Sequence, residues 1–562
     1  MAFGIKADLI LINGRIWRGR EEGISEALAV WQGKILATGS DTDILGLKGP
    51  RTEVIDLEGR FATPGLIDNH LHLIATGMAM GWVDATPASA PTLAALMGRI
   101  SDRAATTPKG GWVRARGYDQ VKLDTGRHPT RDDLDRVAPD HPVLLTRACG
   151  HVSIANSRAL ELAGITEATA VPEGGVIGVT EGRLNGFLAE NAQNLVKAAM
   201  PPATTEDLID GIERAGRYLL SFGITSCMDA AVGQVSGFAE IQAYEMAKLS
   251  GRLPVRVWLT LLGDPGVSIV EDCWRAGLLS GAGDDMLRVG GVKVFLDGSA
   301  GGRTAWMTRP YRGEPDNIGV QMLPDAEVEA VVKACHDRGY QMVCHAIGDG
   351  AIEQLITAYE KALAANPDPD RRHRVEHCGF STPDQNARMK AAGILPAPQM
   401  AFIHDFGDSY ISVLGEERGR LSYPIGTWMR MGLKPSTGSD SPVCSPDPFP
   451  NLHAMLTRQT GKGTVLEASE RLSREEALQA YTEYGAYSQK AEGVKGRLVP
   501  GQWADIAVFD NDLLAAPPET ILSDTSCVLT LLAGRVVHDA RWRPAGLNRN
   551  DAENGTRGRT KC

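Results

Sequence analysis

Two histidines set one residue apart, His70 and His72, stand in the run Ala62-Thr63-Pro64-Gly65-Leu66-Ile67-Asp68-Asn69-His70-Leu71-His72-Leu73. On a β-strand, side chains two apart point to the same face, so both imidazoles can converge on one ion. Neutral imidazole is the commonest protein ligand for a metal. The flank suits a site: Pro64-Gly65 breaks the preceding segment and Leu66-Ile67 leads apolar residues into the pair, the pattern of a buried strand ending where a site opens. A bare pair at this spacing also occurs as core or surface histidine, so the metal reading depends on partners elsewhere in the chain.

The chain has 562 residues, too many for one compact core, and two or three domains are expected. Apolar residues at 43% and charged residues at 23% are those of a soluble globular protein. A formal charge of -11, with no basic run outside Arg557 to Lys561, argues against a nucleic-acid partner and for a small-molecule substrate. Neither a leader-like N-terminus nor an apolar run of about 18 residues is present, so no signal peptide or membrane partner is indicated and a cytoplasmic location is expected. The nine cysteines are scattered and odd in number with no Cys-x-x-Cys, which suits reduced thiols.

Eight short apolar segments read as strands: the one ending at His72, then 223–229, 255–262, 289–297, 341–345, 374–377, 394–398 and 433–440. Helical patterns precede or separate them, among them Thr205 to Ser221, Asp325 to Arg338, Gly350 to Ala365 and Thr382 to Ala392, the first two with capping residues before acidic first turns. Such alternation predicts an α/β fold, a (β/α)8 TIM barrel over 62–77 and 204–489, whose working face is the carboxyl end of its strands. Both chain ends carry strand-like runs meeting Asn-Gly, Gln-Gly or Ala-Gly turns, and neither can bury two sheet faces alone. Residues 1–61 and 490–546 are therefore expected to form one small composite β-sandwich. Roughly 130 residues separate the first barrel strand from the helix feeding the second, so 78–203 are expected to form an inserted α/β subdomain over the barrel mouth. The polar segment 547–562 is expected to be a disordered tail.

His72, Lys293, His345, His377 and Asp440 fall at or near the ends of the expected strands, with His70 beside the first. Four histidines, a lysine and an aspartate could form the ligand set for two divalent metals, zinc or else iron, manganese, cobalt or nickel. Such a pair activates water as hydroxide at neutral pH and polarises the carbonyl it attacks. Lysine cannot ligate as an ammonium, and carbamylation by CO2 would turn Lys293 into a bridging carboxylate.

These residues, with Val292 to Ser299 and Gly302-Arg303-Thr304-Ala305, Cys344 to Ala351, Val375-Glu376-His377, Gly438 to Pro442 and Gly501 to Asp505, resemble the amidohydrolase superfamily. Within it the chain looks like amidohydrolase family 3, the YtcJ-like metal-dependent hydrolases, and is similar to the N-substituted formamide deformylases. The resemblance extends into the insertion through Pro129-Thr130, Leu134-Asp135, Gly150-His151 and Asn156 to Leu160. It implies that His70 and His72 hold the more buried metal with Asp440, that His345 and His377 hold the second, and that Lys293 bridges them. Asp440 would also carry the proton from the attacking hydroxide to the leaving nitrogen.

The expected activity is hydrolysis of a C–N bond in an amide, formamide or cyclic amide. An esterase, carbamate hydrolase or deaminase on the same site, or a non-catalytic binding or regulatory protein retaining the fold, are the rival readings. Two further residues are catalytic candidates: His151, which could reach a substrate carbonyl or make a structural bond, and Arg303, which could clamp a carboxylate or pair with Asp297 or Glu314. Asp440 has a helix-cap alternative, and Asp349 reads as a cap for the helix after His345. His336, His373, His404 and His453 read as surface or structural, and a homodimer is compatible with exposed sandwich edges.

Overall fold

The computed structural model describes residues 5–541 other than 121, 148, 149, 151, 173, 174 and 191. The chain divides into two compact units, residues 1–73 with 216–562, and residues 74–215. No described helix is long and apolar enough to cross a membrane.

In the first unit, seven parallel strands lie side by side in chain order: β1 (Leu66–Leu71), β2 (Ile224–Val232), β3 (Arg256–Leu262), β4 (Leu287–Lys293), β5 (Gln341–Ala346), β6 (Arg374–His377) and β7 (Leu395–Ala397). Every residue of β2 and β3 is buried, as expected of strands covered on both faces. The later strands are linked through helices α1 (Asp325–Asp337), α2 (Asp349–Ala365) and α3 (Pro383–Ala392), and α4 (Ala401–Leu414) follows β7. Thr382 opens α3 through a reciprocal capping box with Gln385. Thr204 and Asp207 do the same for the helix Thr205–Leu220. The side-chain cap expected for α1 is absent, because Pro324 occupies that position and has no acceptor to offer.

The eighth expected strand, 433–440, is not a strand. Pro435 has no N–H to give a ladder, and Lys434 and Asp440 take positive φ of 54° and 56°, so no regular register can form. The segment still lies against β1: Asn69 N–H donates to the Thr437 carbonyl (3.1 Å) and Asp440 N–H to the His70 carbonyl (2.7 Å). The barrel is nearly closed, with an irregular seam between its first and last members.

The two chain ends share one apolar core, in which Leu9, Leu28 and Ile55 pack with Ile506, Val508 and Leu529. One sheet runs Lys34–Gly39, Ala27–Trp31, Leu9–Ile12, Glu53–Asp56; the other runs Arg535–Asp539, Cys527–Leu532, Ile506–Phe509, Phe61–Pro64, Arg15–Trp17, Ile24–Ser25. Ala507 pairs antiparallel with Thr63, which joins the C-terminal strands to the segment leading into β1. The second unit holds its own six-stranded mixed sheet, with a core that includes Ile100, Val113, Leu145 and Ile154. The seven described cysteines are buried and free.

His336 and His373 form a buried pair behind β5. Met342 N–H donates to His373 Nδ1 (2.9 Å), so the His373 proton sits on Nε2, 3.0 Å from His336 Nδ1, and His336 Nε2–H donates to the Asn366 carbonyl (2.7 Å). Each ring donates through one nitrogen and accepts through the other in this arrangement, so an added proton would face another donor. Burial pushes His373 well below the ordinary histidine range, and His336, Arg371 and Lys490 act in the same direction. The unfolded chain takes up this proton near pH 6.5 while the folded chain does not, so stability falls as pH drops through that value. His373→Gln can accept from Met342 N–H and donate to His336, and it should make the slope of unfolding free energy against pH, between about 7 and 5, shallower by about one proton. Denaturant titrations across that range read the slope, and an unchanged slope contradicts the account.

Candidate metal centre

His70, near the end of β1, is 1% exposed. Its Nδ1–H donates to Glu376 Oε2 on β6. Arg374 and Glu376 are two apart on that strand and so share a face. The guanidinium donates to both carboxylate oxygens, at 2.7 and 2.9 Å, and also to the Asn69 carbonyl at 2.9 Å. Burial alone would push Glu376 up, but Arg374 and then His70 outweigh it and hold the carboxyl at about 2. An ionised Glu376 fixes the His70 tautomer and leaves Nε2 with an unshared pair.

That Nε2 is buried and has no hydrogen-bond partner among the described residues. It lies 3.6 Å from Asp440 Oδ1, which is 3.3 Å from His72 Nε2. The donor atoms of His70, His72 and Asp440 all fall within 4.8 Å of one another. Burial, then Lys293, lowers His70 to about 4 against the opposing pull of Glu376 and Asp440. The ring is therefore neutral at pH 7, the form that can bind a metal.

His377 and His345 continue the cluster, with ring centroids 4.4 Å apart and His377 4.9 Å from His70. His377 Nδ1–H donates to Gln399 Oε1 (2.6 Å), whose amide nitrogen is engaged by the Ala397 carbonyl, so His377 Nε2 is left free. Phe402 of α4 stacks on the His377 ring at an interplanar angle of 8°. His345 has the opposite tautomer: Nε2–H donates to the Gly298 carbonyl (3.0 Å) and lies 3.2 Å from Asp297 Oδ1, leaving Nδ1 free. Asp297 is itself pinned by the N–H groups of Trp306, Ile347 and Gly348. Lys293, at the end of β4, is fully buried, and its Nζ has no hydrogen-bond partner among the described residues. Burial pushes its amine down from the usual lysine range.

Asp440 reaches the cluster because its segment runs hard against β1. A Cβ on Gly438 would meet His70 N at 2.4 Å and Asp68 Oδ1 at 2.7 Å, so only glycine permits the approach. Asp68 Oδ1 accepts from the N–H of Ser439 (3.1 Å) and of His70 (3.2 Å), tying the two sides together. Burial raises the Asp440 carboxyl, but the hydrogen bond from His72 and the charges of His70, His72 and Lys293 outweigh it and hold it below the carboxylate range.

His70, His72, Lys293, His345, His377 and Asp440 thus occupy one cluster at the strand ends. The helix-cap alternative for Asp440 fails, since the next helix starts at Pro448 and is capped by Asp447. Asp349 does not cap α2; its carboxylate accepts from Thr308 N–H at 2.8 Å and so holds the loop after β4. Arg303 pairs with Glu314 on an exposed loop. His151 lies outside the described residues. The orienting roles of Glu376, Arg374, Gln399 and Asp297 are not read from sequence, where Asp297 stands only as a partner for Arg303. Only Arg374-Val375-Glu376 carried a usable signal, opposite charges two apart on a strand that is otherwise apolar.

The donor set fits a divalent metal: imidazoles with oriented ring nitrogens, one ionised carboxylate, and a buried orphan nitrogen at His70. An α/β barrel with these groups at the carboxyl ends of its strands places the chain in the Amidohydrolase family, whose sequence profile matches residues 53–538. It is 30% identical over 536 residues to YtcJ of Bacillus subtilis, named as an amidohydrolase, covering 94% of this chain and 98% of that one. The N-substituted formamide deformylase of Arthrobacter pascens is 28% identical, over 90% of this chain and 94% of its own. A crystal structure of a metal-dependent hydrolase from Pyrococcus horikoshii superposes with a TM-score of 0.76 at 27% identity, covering 91% of this chain and 99% of that one.

Glu376→Gln keeps an acceptor for His70 but removes the charge that fixes its tautomer and compensates Arg374. Zinc affinity, read by chelator competition, should fall about 10- to 100-fold. Unfolding free energy of the metal-free protein should fall by about 3–5 kcal/mol, the cost of leaving a buried charge unpaired. Unchanged affinity contradicts the orienting role.

Proposed function

We propose that the protein is a metal-dependent hydrolase of a carbon–nitrogen bond in a small amide, formamide or cyclic amide, working with two zinc ions. The observation that carries this reading is the buried, unpartnered Nε2 of His70 facing His72 and Asp440. His70, His72 and Asp440 would hold one ion, and His345 through Nδ1 with His377 through Nε2 would hold the other. Lys293, a buried amine without a hydrogen-bond partner among the described residues, would add CO2 at Nζ with loss of a proton and so supply a further carboxylate ligand. When bound, the ions supply Lewis acidity that polarises a carbonyl and makes water acidic enough to attack at neutral pH.

The chain's own residues supply orientation and proton transfer. Asp440, kept ionised by its surroundings, accepts the proton released as water oxygen bonds the carbonyl carbon. It returns that proton to the nitrogen as the C–N bond breaks, giving a carboxylic acid and an amine. Glu376, Gln399 and Asp297 hold the three imidazoles whose free nitrogens face the reaction centre. The formamide class is favoured by the likeness to the Arthrobacter deformylase.

Zinc-loaded protein assayed on a panel of N-substituted formamides, lactams and esters should release amine from at least one C–N substrate, lose activity to a chelator, and regain it with zinc. Asp440→Asn should lower kcat by about 10²- to 10⁴-fold. Full turnover by the double variant His70→Ala with His72→Ala contradicts the reading, and faster cleavage of every ester than of any amide favours an esterase.

A further inference from the structure

The donor atoms of the first cluster sit on opposite sides of the barrel seam, His70 on β1 and His72 just after it, and Asp440 at the end of 433–440. No regular ladder sets their spacing, because Pro435 and the positive-φ residues interrupt it. Three main-chain bonds cross near the site, from Asn69, Asp440 and His72 N–H groups to Thr437, His70 and Ser441 carbonyls. These bonds, with Asp68 Oδ1 accepting from Ser439 and His70, tie the two main chains together, and a side chain adds a further crosslink between them.

Asn69 lies at this seam, adjacent to His70 and 1% exposed. Its amide nitrogen donates to Ser436 Oγ (2.6 Å) in the eighth segment and to Ser488 Oγ, and its Oδ1 accepts from Gln489 Nε2 (2.8 Å). Its carbonyl accepts from Arg374, the partner of Glu376. Gln489 is oriented in turn by Lys495, whose Nζ donates to Gln489 Oε1 (2.7 Å) and to Ser226 Oγ on β2 (2.5 Å). Gln489 and Lys495 are buried, as are Ser226, Ser436 and Ser488. One side-chain amide therefore gathers β1, the eighth segment and the C-terminal end of the helix Glu483–Ser488. In a buried setting each of these donors and acceptors is costly to leave unmade, so the amide tolerates little change in spacing.

We propose that Asn69 is a positioning residue that, beside the backbone bonds and Asp68, sets the final separation of His70 and His72 from Asp440, with Gln489 and Lys495 holding its amide in the required orientation. The proposal rests on the metal-site reading above. A merely structural role would lower stability and leave both the donor spacing and metal affinity unchanged. Leu has the same number and branching of side-chain heavy atoms as Asn, so Asn69→Leu removes the hydrogen bonds but adds methyl bulk, and Gln489→Leu removes the orienting contact one residue further out without adding bulk at Asn69. Asn69→Asp keeps the shape of the side chain and the acceptor for Gln489, and the Ser436 hydroxyl can rotate to donate to it, while the Ser488 hydroxyl would have to leave the Gly485 carbonyl to do so.

Two readouts test this. In metal-free crystals the His70 Nε2 to Asp440 Oδ1 separation, 3.6 Å here, should widen in Asn69→Leu and in Gln489→Leu and return in Asn69→Asp. In chelator competition, zinc affinity of both Leu variants should fall at least about tenfold. Unchanged separation and unchanged zinc affinity in the Leu variants, whatever their stability, overturn the proposal. Should Asn69→Leu fail to fold, Gln489→Leu alone decides. Should the unaltered protein bind no zinc, the metal reading fails and the separation in metal-free crystals still judges the positioning role.

Discussion

Arg374 and Glu376 form an ion pair with no solvent exposure, and the ring of His70 is set against it. Removing either charge from water costs several kcal/mol, so neither residue is tolerable without the other. Bidentate geometry and the contacts to His70 and Asn69 satisfy the carboxylate and most of the guanidinium. With the carboxylate fixed as an anion, His70 must carry its proton on Nδ1. The direction of its free nitrogen, and with it the place of the cluster inside the barrel, follows from that one pair.

The other imidazoles are oriented by the same logic with different partners. A neutral amide, Gln399, serves His377, and a carboxylate locked by three backbone N–H groups serves His345 with the opposite ring nitrogen. The free nitrogens and Asp440 supply lone pairs, while burial keeps the rings of His70 and His377 neutral. Lys293 brings a buried amine into this setting, with no hydrogen-bond partner among the described residues and with its cationic form destabilised by burial.

The strands were legible wherever a short apolar run stood between turn signals, and β2 to β7 lie within a few residues of the segments read from sequence. The eighth was misread because an apolar, small-residue run reports burial without reporting φ, and Lys434 and Asp440 gave no sign of their left-handed backbone. The six candidate ligands were legible because histidine, lysine and aspartate are unusual at the ends of buried strands. The residues that orient them were mostly hidden: Gln399 and Asn69 resemble ordinary polar residues until their distant partners are known, and Asp297 acts through backbone groups more than forty residues away in sequence. Asp349 shows the reverse error, a good capping residue spent on Thr308 because Gly348 holds the N-cap position and Asp349 is the first residue of the helix.

The central claim is that free ring nitrogens of differing tautomer converge on bound metal. Anomalous diffraction from crystals grown with zinc tests it most directly. The account predicts one peak bounded by His70 Nε2, His72 Nε2 and an Asp440 oxygen, and a second beside His345 Nδ1 and His377 Nε2. Peaks only at surface carboxylates, with His70 Nε2 turned to a protein hydrogen bond, would contradict it.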